Sequence, residues 1–297
     1  MTNGAVYVIT QDEHYVGLLL TSAASLKRAM PDLPISVFSQ FPVESPLFDK
    51  VVRVEPTEDG FYDKTRWIQE SPYDRTLFID ADTYVVEAFP ELFRLLDRFD
   101  CAATHEEYVN SDWFNRYPRN DIPASFPEFN TGVLLLKRSE KMNRFLQEWG
   151  SLYRAFLTEN PQRPWVGDQL FFRPAVYYSD LRIATLTREY NCKFRGQGYL
   201  NGNVKILHGH VNLELRDSHI RQAIDVLNRS KRPRVYIAGK VFEQKLTGRL
   251  VSRRKAHKVG SFPELPESIV VLRARRLKEI IQERGLRKTL ARVLGIK

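Results

Sequence analysis

The chain has 297 residues, 43% of them hydrophobic and 12% aromatic, enough for a sizeable core in one large domain or in one domain with an appendage. No stretch reaches the roughly 18 apolar residues of a membrane-spanning helix, and the start MTNGAVYVIT lacks the basic-then-apolar pattern of a secretory signal, so a cytoplasmic protein is expected. The net charge of +9 sits in the tail: residues 241–297 carry 15 Lys and Arg against 5 Glu, while residues 1–240 carry 30 basic against 31 acidic side chains, which argues against a nucleic-acid-binding main domain.

The β-branched run AVYVIT at 5–10 reads as a buried strand, and YVGLLLTSAASLKRA at 15–29 carries apolar side chains at helical spacing up to MPDLP. ISVFSQ at 35–40 and KVVRVE at 50–55 are strands, KTRWIQE at 64–70 is helical, and TLFIDAD at 76–82 is a strand that ends in two aspartates. FPELFRLLDRF at 89–99 predicts a helix with Pro90 in its first turn. Residues 105–128 are aromatic and turn-rich, a long loop of the kind that tends to be functional. FNTGVLLLKRS at 129–139 gives a strand, and Ser139 caps an amphipathic helix over 139–157. WVGDQLFF, LRIATLTREYN and NVKILHGH follow, and KRPRVYIAGK at 231–240 closes the main domain. The alternation of strands and helices predicts an α/β domain over residues 1–240, with a mostly parallel sheet flanked by helices.

Residues 241–297 form a basic extension with apolar stripes at helical spacing (Leu277 and Ile281, then Leu286, Leu290, Val293 and Leu294) and a break at Gly285. Two readings stay open for it: a terminal helix packed on the domain, or an amphipathic segment on an anionic membrane surface. Cys101 and Cys192 have no metal-ligand or redox spacing, which fits inert thiols in a reducing compartment.

The pair in FIDAD carries the chemistry. In an extended strand Asp80 and Asp82 project to one face and repel each other, so either one is protonated or a cation lies between them. Oxygen ligands suit magnesium and manganese. The bland alternative is a solvated turn or a helix cap.

Taken in order, ITQDEHY, FIDAD with Lys64 upstream, FNTGV, GDQ and ILHGH resemble glycosyltransferase family eight, the glycogenin-like and bacterial galactosyltransferase-like enzymes of the GT-A fold. The likeness covers about the first 210 residues. It implies a hexosyltransferase that uses a nucleoside-diphosphate sugar, uridine-linked by family habit, and retains anomeric configuration. By the same resemblance Asp80, Asp82 and His208, with His210 as the alternative, would hold Mn2+ or Mg2+. Thr10, Tyr15, Lys64, Asn130 and Asp168 would contact the donor, and Gln169 would face the anomeric carbon, with Asp168 beside it. Trp113 and Tyr117, in the aromatic loop, are candidate stacking platforms for a saccharide or glycolipid acceptor. The family's late motif carries a lysine after its histidine, whereas this chain reads HGHVNLELRDSH, so Lys205 or Arg216 would have to supply that charge. ITQDEHY is also one residue longer than usual before its tyrosine.

Two rival readings compete with this resemblance. DADT also fits the nucleophile motif of haloacid dehalogenase-like phosphatases, but that motif follows the first strand, and here a strand-helix unit and more precede it. A protein that has kept the fold for sugar-nucleotide or glycan binding and lost turnover is the alternative of another class.

Overall fold

A computed structural model describes residues 1–57, 59–107, 121–160, 167–209 and 217–243. The chain divides into two units, Met1–Ala256 and His257–Lys297, and all the described residues belong to the first. Trp113, Tyr117, His210, Arg216 and the residues beyond 243 lie outside the described set.

The central sheet has seven strands: β1 (Asn3–Ile9), β2 (Ile35–Ser39), β3 (Lys50–Arg53), β4 (Arg75–Ile79), β6 (Cys101–His105), β7 (Phe129–Lys137) and β8 (Ile183–Leu186). Their spatial order is β3-β2-β1-β4-β7-β6-β8. All neighbours run parallel except β7, which is antiparallel to both β4 and β6. The sheet is therefore mostly parallel, as expected. Reversing one strand brings the start of β7, at Asn130 and Gly132, to the edge where β4 ends.

Helices α1 (Tyr15–Ala29), α2 (Gly60–Ile68), α3 (Glu140–Glu159) and α4 (Gln169–Tyr177) cover the sheet, and α5 (Asp217–Asn228) follows later. On one side Leu19 and Leu26 of α1 pack with Val37, Ile79, Leu135 and the 3-10 helix Pro90–Asp97. On the other, Trp149 and Tyr153 of α3 and Phe171 and Phe172 of α4 pack on Val6, Phe78 and Leu134. With both faces covered, the inner strands read as near-continuous apolar runs, and eight of the nine residues of β7 are buried. Each fully buried Val, Leu or Phe side chain contributes about 1.5–3 kcal/mol on leaving water.

Capping explains two helix starts. The Ser139 hydroxyl accepts the Met142 N–H at 3.1 Å to begin α3, as predicted. Asp59 accepts the N–H groups of Phe61 and Tyr62, so α2 begins four residues before Lys64 and buries that lysine in its middle.

Two small sheets complete the body. β5 (Thr83–Val85) pairs antiparallel with β10 (Ile206–His208), in a register that sets His208 opposite Thr83. β9 (Gln197–Leu200), β11 (Arg234–Ile237) and β12 (Lys240–Glu243) form a three-stranded sheet with β11 at its centre. No described helix is long and apolar enough to cross a membrane.

Candidate functional site

The strand expected to run through FIDAD stops at Ile79, and Asp80, Ala81 and Asp82 form a turn. Strand alternation therefore does not align the two carboxylates. The turn does: the Thr83 N–H and hydroxyl both donate to the Asp80 carbonyl, at 3.2 and 2.8 Å, and the Asp80 N–H donates to the Gly132 carbonyl at 2.8 Å. The β5–β10 register then brings His208 alongside, and the Gly209 N–H donates to the Asp82 carbonyl at 3.2 Å.

His208 Nε2 lies 3.3 Å from Asp82 Oδ1 and 3.7 Å from Asp80 Oδ2. One ligand atom from each of Asp80, Asp82 and His208 falls within 4.8 Å of the others. Gly132 closes the floor of this group. A Cβ there would stand 2.1 Å from His208 Cε1 and 2.8 Å from Asp80 Oδ2, so only glycine allows the approach.

Next to the triad lies a charged cluster. The buried Lys64 ammonium is 3.2 Å from Asp80 Oδ1 and 3.2 Å from Asp168 Oδ2, and it donates to the Thr131 hydroxyl at 3.2 Å. Thr131 donates in turn to Asp168 Oδ2 at 2.8 Å, and the Trp149 indole N–H holds the Asp168 carbonyl at 2.9 Å. Burial alone would lower the Lys64 ammonium, but Asp168 and Asp80 outweigh it and hold it above its ordinary value. Burial raises the Asp80 carboxyl, and Asp82 and Asp168 add to this against the pull of Lys64 and His208. Two carboxylates thus share one lysine.

On the far side of Gly132 the polar groups are mostly neutral amides. Asn130 Nδ2 donates to Glu106 Oε2 at 2.8 Å, while Asn130 Oδ1 accepts the Gly132 N–H at 3.0 Å and Asn191 Nδ2 at 2.8 Å. Asn191 Oδ1 stands 2.8 Å from His208 Nδ1. Gln169 Nε2 donates to the same Glu106 oxygen at 3.0 Å, and Lys193 Nζ lies 3.3 Å from Glu106 Oε1. Burial would raise the Glu106 carboxyl, but Lys193, the two amides and the Glu107 N–H bring it down to about 2. It is a carboxylate at any neutral pH.

The geometry brings together Lys64, Asp80, Asp82, Asn130, Asp168, Gln169 and His208 of the expected residues. Thr10 is buried at the end of β1, and Tyr15 is exposed in the first turn of α1. Partial burial raises the Tyr15 hydroxyl, with Asp82, Asp12 and Asp80 adding to it. Lys205 is held by Glu87 at 2.7 Å. Thr131, Gly132, Glu106, Asn191 and Lys193 carried no assignment from the sequence. Thr131 and Gly132 stand inside the quoted FNTGV, where the signal was present. Glu106, Asn191 and Lys193 had none, because their part depends on partners distant in the chain.

The triad fits a cation on three grounds. Two carboxylate oxygens and one imidazole nitrogen suit manganese, with magnesium next. One ligand atom from each of the three side chains lies within 4.8 Å of the others, and Lys64 is shared between Asp80 and Asp168, so the carboxylates exceed the ammonium beside them.

No protein-family model and no curated protein matches the chain. Among solved structures the chain is similar to the galactosyltransferase LgtC, determined with donor and acceptor sugar analogues, at 14% identity. That match covers 70% of this chain and 87% of the other, with a TM-score of 0.50. Mouse xyloside xylosyltransferase 1 in its apo form is similar at 17% identity, covering 72% of this chain and all of the other, with a TM-score of 0.49. At such identities the likeness speaks for the fold, and the chain has the α/β architecture, with helices flanking a mostly parallel sheet, of GT-A glycosyltransferases.

Proposed function

We propose that this protein is a metal-dependent glycosyltransferase that moves a hexose from a nucleoside-diphosphate sugar, uridine-linked, to a hydroxyl of a glycan or other acceptor, with retention. The observation that carries the reading is the convergence of Asp80, Asp82 and His208 on one point beside Lys64, Asn130, Asp168 and Gln169. A divalent cation held by the triad would stabilise the negative charge that grows on a departing diphosphate.

The chain's own groups account for the rest. Lys64 holds Asp80 and Asp168 in place by charge, its ammonium 3.2 Å from an oxygen of each. In this reading Asn130 and Asp168 contact sugar hydroxyls, and the exposed Tyr15 ring stacks on the base with the buried Thr10 beside it. Gln169 opens α4 with a neutral amide, a weak nucleophile. A front-face displacement, with the acceptor hydroxyl entering on the leaving-group side, suits it better than a covalent intermediate. Trp113 and Tyr117 serve the acceptor in this reading. The basic residues 241–297 hold the protein on an anionic cytoplasmic leaflet near a lipid-linked acceptor.

Isothermal titration of UDP into the full chain, with Mn2+ and then with a chelator, tests the reading, using Asp82→Ala as the control. Binding that needs both Mn2+ and Asp82 is expected. UDP binding that ignores both would overturn the metal-dependent reading, and UDP binding without turnover of any hexose donor would leave a lapsed binding protein.

A further inference from the structure

We propose that Asn191 is a positioning residue that, together with Asn130 and Glu106, fixes His208 in the tautomer protonated on Nδ1, so that Nε2 offers a lone pair to a divalent cation. The inference rests on the metal-site reading above and brings in Asn191 and Glu106, which that reading leaves unassigned.

Two groups of invariant polarity set the direction of the relay. The Gly132 backbone N–H can only donate, and it points at Asn130 Oδ1 at 3.0 Å. The Glu106 carboxylate can only accept, and it faces Asn130 Nδ2 at 2.8 Å. The Asn130 amide is thereby oriented from both ends. Its oxygen also faces Asn191, so Asn191 must turn its NH2 toward it, at 2.8 Å. That leaves the Asn191 oxygen 2.8 Å from His208 Nδ1. An amide oxygen accepts, so Nδ1 must carry the hydrogen. Asn130, Asn191 and His208 are all buried, and the Glu106 side chain is 1% exposed, so water does not compete for these bonds.

The relay has something to oppose. His208 Nε2 faces Asp82 and Asp80 at 3.3 and 3.7 Å, two acceptors on the side of the ring opposite Asn191. With only one proton on the ring, a ligand oxygen at Nδ1 and two carboxylates at Nε2 compete for it. Asn191 tips that competition toward the metal-binding form, the role that outer hydrogen-bond partners of ligating histidines commonly fill.

The test uses the full chain labelled with 15N-histidine. In metal-free protein at alkaline pH, where the ring is neutral, the His208 nitrogen shifts, assigned by their loss in His208→Gln, should show Nδ1 protonated and Nε2 bare. Asn191→Leu should move the proton to Nε2 and weaken Mn2+ binding about 10- to 100-fold by calorimetry. Asn191→Asp restores an acceptor for Nδ1–H although it opposes Asn130 Oδ1. It should therefore lose stability while keeping the Nδ1–H form and most of the Mn2+ affinity. Equal loss of Mn2+ binding in both variants would mean that Asn191 is merely structural and would overturn the proposal. So would a wild-type His208 found with Nε2 protonated, a result that needs no variant to fold. If the tautomer and Mn2+ results hold and UDP fails to bind, the donor reading fails and the relay stands.

Discussion

Gly132 separates two polar clusters that hold the same site by different means. On one side Lys64, Asp80, Asp168 and Thr131 are arranged by charge, with the ammonium 3.2 Å from each carboxylate. On the other, Asn130, Asn191 and Gln169 are arranged by the direction of hydrogen bonds that end on a single carboxylate, Glu106. Charge acts over distance and tolerates small displacements, whereas an amide turned around presents a donor where an acceptor is needed. The charged side can therefore set how strongly a cation is drawn in, and the amide side which atom of His208 receives it.

The largest effect should come from removing the single ammonium. Lys64→Met leaves Asp80 and Asp168 without their counter-charge, Asp168 in a buried position. A loss of about 3–5 kcal/mol in urea unfolding is expected. A loss below about 1 kcal/mol would show that the charged side does not depend on it, since exposed pairs are worth that little. Gly132→Ala strikes both sides together, because the added methyl would press on His208 and Asp80 at once. Overpacking of this kind costs about 1–3 kcal/mol, and calorimetry should show Mn2+ affinity falling with it. Unchanged Mn2+ binding would mean that the floor of the site has room to give.

The smallest effect concerns protons behind the amide side. Glu128, whose carbonyl accepts the Glu106 N–H, has its own carboxyl pushed up to about 7 by burial, with the Glu106 charge adding and Arg173 opposing. Its folded value exceeds the roughly 4.3 of an unfolded glutamate. Its contribution to stability is therefore fully present below that value and is lost as pH rises through about 7. Glu128→Gln should flatten that part of the stability profile, with unfolding followed from pH 4 to 8. A wild-type profile already flat there would remove the coupling between Glu128 and the site's charge.

The charged side is more legible in the sequence than the amide side, for physical reasons. Helix α1 was legible from Tyr15 to Ala29 because its periodicity is local. The strand before Asp80 was legible from its apolar run, but its last residues were not: the bonds that bend the chain at Asp80 come from Thr83 and from Gly132 across the sheet. β5 and β9 are three and four residues long and draw their pairing from distant strands, so no local pattern marks them. The helix expected at 89–99 is a 3-10 helix from Pro90 to Asp97. Asn191 illustrates the limit best. Its side chain is wholly buried, yet nothing in TREYN distinguishes it from a turn residue until Asn130 and His208 are placed on either side of it.

The reversed strand β7 has a kinetic consequence. Its start provides Asn130, Thr131 and Gly132, and it reaches the site only after pairing with both β4 and β6, strands that enter the chain well before it. His208 arrives later still, when β10 closes on β5. Contacts of such sequence separation form slowly and late. Cation capture during refolding should thus report completion of the body, rather than an early local event. A chain interrupted before β10 would keep the seven strands of the central sheet and lack His208, one of the three members of the triad.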